Sequence, residues 1–126
     1  MFKSMMALTL VLAVATVMVG CATVEQAAKP GENVLPRIDP AKEGTLVSPD
    51  TQLGVDLTVR NMTKSAVTLQ WLDEASGGRG YYKDIPAGGE VYQGTWQGHY
   101  WLVADKKDKA LGIYETPDKD GVIIVK

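Results

Sequence analysis

The segment Gly94-Thr95-Trp96-Gln97-Gly98-His99-Tyr100-Trp101 holds the only histidine of the chain and two of its three tryptophans. A hydroxyl, an imidazole and large aromatic faces at this spacing fit two roles. In one they form a recognition pocket, with aromatic walls around a ring-shaped ligand group while Thr95 and His99 hydrogen-bond its polar substituent. In the other, Trp96, Tyr100 and Trp101 are core of a small β domain and His99 is satisfied at a turn. Catalysis has less to work with. His99 could serve as a base, but no serine stands in a nucleophile motif and the single cysteine, Cys21, lies at the end of an apolar leader. The chain reads as a non-enzyme.

Other chemistries lack their partners. Gly77-Gly78-Arg79-Gly80 has neither the following helix nor the Lys-Ser/Thr pair of a phosphate loop. Asp118, Asp120 and Gly121 look like the start of a calcium loop, but too few residues follow to supply its terminal glutamate, so a solvated turn is expected. Lys106, Lys107 and Lys109 with Asp105 and Asp108 read as an exposed hairpin tip. No Cys/His cluster could ligate zinc, and neither a metal nor a cofactor is expected. A formal net charge of -2, with no basic run longer than Lys106-Lys107, gives no electrostatic footprint for nucleic acid.

The elements that must position these residues are short strands. Leu53 to Arg60 alternates apolar and polar residues, and Val67, Leu69 and Trp71 alternate with Thr68 and Gln70 across a turn at 61–65. These two runs read as a hairpin or near neighbours. Tyr81 to Ile85, Glu90 to Trp96, Tyr100 to Ala104, Leu111 to Tyr114 and Val122 to Val125 complete about seven strands, with Pro86-Ala87-Gly88-Gly89 as one of the turns. No segment after Leu46 keeps a helical period. The expected fold is all-β, a seven-stranded β-sandwich over residues 48–126, with one thin core.

The N-terminal part reads as an address. Met1-Phe2-Lys3 precedes an uncharged apolar stretch from Met5 to Val19 that is short for a bilayer span. Val19-Gly20-Cys21-Ala22 resembles the lipobox of bacterial lipoproteins, which implies a signal peptide over residues 1–20 and acylation of Cys21, a lipid anchor to the membrane. Ala22, rather than an aspartate, resembles the pattern sent to the outer membrane. The expected location is therefore the bacterial cell envelope, facing the periplasm. Residues 21–47, with Pro30, Pro36 and Pro40 among charged residues, read as a flexible, extended linker.

The order of features in the sandwich is more specific. Val59-Arg60-Asn61, then Val67-Thr68-Leu69-Gln70-Trp71-Leu72-Asp73, then Tyr82 to Ile85, Pro86-Ala87-Gly88 and Thr95-Trp96-Gln97-Gly98-His99-Tyr100-Trp101-Leu102 resemble the von Hippel-Lindau β-domain family, over about Val55 to Pro117. The resemblance implies a seven-stranded sandwich that captures a hydroxylated proline in an extended peptide. Trp71 and Trp101 would wall the slot, and Tyr82 would close its side and bond the peptide backbone. Thr95, standing where the family has a serine, and His99 would bond the hydroxyl, with Trp96 in place of a tyrosine beside the pocket. A family histidine that contacts the peptide backbone is Gly94 here, which removes one contact. The family's helical domain for ubiquitin-ligase recruitment has no counterpart before Lys126, so no ubiquitin-ligase partner is expected.

The expected function is that of a membrane-tethered, non-catalytic binder of an extended peptide containing proline or hydroxyproline. Two alternatives stay open: a carbohydrate or cell-wall binder using exposed aromatic faces, and a structural envelope lipoprotein whose aromatics are internal.

Overall fold

The computed structural model describes residues 28–126; the expected signal segment, Cys21 and the start of the expected linker lie outside the described residues. Seven strands follow one another: β1 (Gly54–Asn61), β2 (Val67–Leu72), β3 (Arg79–Ile85), β4 (Glu90–Trp96), β5 (Tyr100–Ala104), β6 (Ala110–Glu115) and β7 (Gly121–Val125). They form two sheets, ordered β4-β1-β7 and β3-β2-β5-β6, and the protein is an all-β sandwich. Period-two alternation sets its interior. Val55, Leu57 and Val59 of β1 meet Val67 and Leu69 of β2, Trp101 and Val103 of β5, and Ile123 and Val125 of β7 in one core.

The first two runs, expected to be a hairpin or near neighbours, do not pair with each other. β1 is the central strand of its sheet, antiparallel to β4 with Val55 opposite Thr95, and parallel to β7 with Leu57 opposite Gly121. β2 lies in the other sheet, between β3 and β5. The chain crosses the sandwich after Asn61, and that side chain braces the corner. Asn61 is fully buried; its Nδ2 donates to the carbonyls of Ser65, Ile85 and Pro86 at 2.8, 3.1 and 3.1 Å, while its Oδ1 accepts from the amide and hydroxyl of Thr63. A saturated buried amide holds the corner in place of a two-strand turn.

The stretch expected to be a linker is, from residue 28 onward, part of the folded surface. Leu35 is 6% exposed and belongs to the main core. Its amide donates to Val122 at 2.9 Å, and Ile38 and Ile113 exchange backbone bonds of 2.7 and 3.1 Å. Residues 33–38 thus run beside β7 and then β6, the two strands on one lateral side of the sandwich, and close that side. Ile38 and Leu46 then cover Leu72, Leu102, Ala104 and Ile113 on the outer face of the four-stranded sheet. Proline spacing reports local stiffness, and it misses the apolar residues Leu35, Ile38 and Leu46 that fasten the segment. Asp120 also does more than sit in a solvated turn, because its carboxylate accepts the Asp56 amide at 3.0 Å.

The other lateral side, where β3 and β4 are the edge strands, carries no such cover among the described residues. The turn at Pro86–Gly89 joins these two edges, with the Gly89 amide donating to Pro86 at 2.8 Å.

Candidate functional site

The site lies at this open side, and β4 sets its geometry. Bonds from the Asn61 amide to Gly89 and from the Gln97 amide to Leu53 bracket the β1–β4 ladder. By antiparallel alternation, the odd-numbered residues of β4 bond to β1, and Tyr92, Gly94 and Trp96 turn their backbone groups to the free edge. The Tyr92 carbonyl is taken by Lys83 Nζ of β3. Side chains alternate the other way: Thr95 points inward and is 8% exposed, while Trp96 faces out and is 48% exposed.

A turn follows at once. The His99 amide donates to the Trp96 carbonyl at 3.1 Å, and Gly98, at φ 84°, occupies the position that needs a left-handed backbone. Space forbids a side chain there as well, since a Cβ would come within 2.7 Å of Pro49 Cγ. The turn places His99 under the sandwich rim, 4% exposed, and launches β5 so that Trp101 enters the core at 2% exposure.

Tyr82 reaches the site through a bulge. Leu69 pairs with Lys83 and Gln70 with Tyr81, so Tyr82 is the extra residue of β3. Its ring stands edge-on to Trp101, with centroids 4.9 Å apart and planes at 86°, and edge-on to Trp71 at 6.4 Å. Two hydrogen bonds knit the rest. Trp101 Nε1 donates to Thr95 Oγ1 at 2.9 Å, and Trp71 Nε1 donates to His99 Nδ1 at 3.1 Å. The imidazole and the Trp71 indole lie with centroids 5.6 Å apart and planes inclined by 26°.

All six residues singled out in the sequence, Trp71, Tyr82, Thr95, Trp96, His99 and Trp101, line one cavity of about 150 Å³, together with Gly94 and Glu74. They do not play equal parts. Trp101 is the buried floor, Trp71 is a half-buried wall, and Tyr82 and Trp96 form the exposed rim. Sequence reasoning missed Glu74, whose only signal is its place three residues after Trp71. A larger groove of about 470 Å³, lined by Val34, Leu35, Leu111, Tyr114 and Ile124, lies at the covered side. Size favours that groove, whereas convergent hydrogen-bonding groups favour the smaller one, and it is convergence that gives a ligand its orientation.

The hydrogen bonds define what the cavity presents. Because Nδ1 of a neutral His99 accepts from Trp71, its proton sits on Nε2, which has no partner among the described residues. Thr95 Oγ1 accepts from Trp101 and keeps its own hydrogen and one lone pair. The cavity therefore offers two donors and one acceptor between aromatic faces, a set that suits a hydroxyl on an apolar ring. Among the described residues, no three His, Cys, Asp or Glu side chains are grouped to hold a metal ion. No family model matches the chain, and no curated protein matches it significantly.

Proposed function

We propose that the chain is a lipid-anchored envelope protein of the von Hippel-Lindau β-domain family, whose cavity binds the ring of a proline or hydroxyproline in an extended peptide. One observation carries this reading: Thr95 and His99, both more than nine-tenths buried, reach the same aromatic cavity with hydrogen-bonding capacity to spare. A hydroxyl on the ring would accept from His99 Nε2 and donate to Thr95 Oγ1, while the ring packs between Trp71 and Tyr82. The Gly94 amide faces the free edge of β4 beside the cavity, with its carbonyl already accepting from Gln93 Nε2 at 2.9 Å, so an extended chain adding alongside would bond that amide and displace the glutamine. Cys21 would supply the tether, and no chemistry on the ligand is invoked.

The experiment is a titration of the full-length chain with matched proline and hydroxyproline peptides, following the indole N–H and imidazole signals by NMR. Plain proline leaves the two polar groups unpaired, so the hydroxylated peptide should bind more tightly by about 1–3 kcal/mol, and His99→Ala should erase the difference. Equal shifts for both peptides, or none, would sink the hydroxyl reading. A structural role is favoured by the burial of Trp101 and by the use of Thr95 and His99 as acceptors for indoles. It expects no shift with any peptide, and a loss of stability when these residues change.

A further inference from the structure

The cavity is the middle of a longer trough, and the charge of that trough is one-sided. Three concavities meet at Trp96 and share residues pairwise. The cavity of about 150 Å³ shares Gly94 and Thr95 with one of about 460 Å³ on its β1 side, and Glu74 and His99 with another of about 430 Å³ towards residues 50–52. Three carboxylates line the trough: Asp56 at the first end, and Asp50 and Glu74 at the second. No lysine or arginine lines any of the three. Glu32 and Glu90 are neutralised at short range by Arg60 and Glu43 by Arg79, whereas these three, like several other surface carboxylates, enter no ion pair among the described residues; what sets them apart is their place around one trough that no cation lines.

Resting on the peptide reading above, we infer that the ligand is cationic, with a lysine or arginine on either side of the ring-bearing residue. The trough combines what a basic side chain needs: an exposed indole face at Trp96 for its stem and charge, and carboxylates at both ends for its terminus. Acidic side chains in those places would face only like charge. Thr95 and His99, each more than nine-tenths buried and each with a hydrogen not used in the bonds described above, are lining residues shared between the middle cavity and its neighbours, which joins the two ends to one site. The ring would sit in the middle and fix the register, and the flanking cations would discriminate among proline-containing sequences.

Four blocked synthetic peptides test this on the full-length chain, by calorimetry and indole fluorescence at low salt. Two carry hydroxyproline flanked two residues away on each side by lysine or by glutamate, and two repeat those flanks around alanine. The lysine–hydroxyproline peptide should bind about tenfold more tightly than its glutamate counterpart, the scale of a few partly solvated ion pairs. The advantage should shrink towards parity near 1 M salt, where the screening length is about 3 Å. The exposed double change Asp50→Asn with Glu74→Gln should remove most of it without moving the melting temperature. Equal affinity for the two hydroxyproline peptides overturns the charge proposal and leaves the ring reading intact. A lysine preference that persists around alanine upholds the charge proposal and counts against the ring. No binding by any of the four overturns both.

Discussion

Thr95 and His99 serve indoles before they serve any ligand, and the two debts differ in depth. Trp101 is buried, so Thr95→Val would strand its indole N–H without an acceptor and cost about 1–3 kcal/mol of unfolding free energy by chemical denaturation. Thr95→Ser restores the oxygen and should recover most of that loss. A cost as small as that of a surface substitution for Thr95→Val would mean that the Trp101 bond contributes little to stability. The inward turn of Thr95 and the outward turn of Trp96 follow from the period-two alternation of β4, whereas bringing Trp71 and Tyr82 to the same place rested on the family resemblance. That the tryptophans would spend their N–H groups on the hydroxyl and imidazole was not legible in the sequence, because alternation reports a face and never a partner.

At the scale of elements, Arg60 shows the same gap between pattern and partner. It closes the alternating run of β1 as an apparently outward polar residue, yet it is 8% exposed. Its Nη1 and Nη2 meet both Glu32 oxygens at 2.5 and 2.6 Å, and its Nε meets Glu90 at 2.5 Å, so β1, β4 and the N-terminal segment share one charge cluster. Hydrogen bonding from Arg60 holds the Glu32 carboxyl down at about 2, against an ordinary value of 4.5, and lowers Glu90 as well. A depressed folded-state value stabilises the fold above the unfolded value and ceases to do so as protons bind. The melting temperature should therefore hold from neutral pH down to about 5 and fall between 4.5 and 2. Glu32→Gln should lower it at pH 7 and flatten part of that fall. A profile identical to that of the unaltered chain would show that this pair does not fasten the segment.

For the molecule as a whole, the described part of the expected linker is the least dispensable surprise. All seven strands were legible within about two residues, from alternation in some and, in β5 and β7, from a short apolar run bounded by turn residues. The covering of the outer face had one overlooked sign. Trp101-Leu102-Val103-Ala104 is an unbroken apolar run, buried throughout, and such a run asks for cover on both faces of a sheet. Leu46 and Ile38 supply it on the outer side. A chain beginning at residue 48 should therefore lose at least about 3 kcal/mol of stability relative to one beginning at residue 28, and should bind a hydrophobic dye. Equal melting of the two would assign the whole of the stability to the sandwich.

The parallel ladder between β1 and β7 carries one more consequence. It ties Leu57 to Gly121 and Asn61 to Val125, so the central strand gains its second neighbour only after the five strands between them have been accommodated. Closing so wide a loop costs chain entropy before any contact repays it, which places the protein among slow all-β folders, on the order of milliseconds to seconds. During that wait Val55, Leu57 and Val59 lie along an unfilled edge, and the nearest complementary strand belongs to another molecule. The refolding yield should therefore fall as chain concentration rises, even under conditions where the finished sandwich is stable.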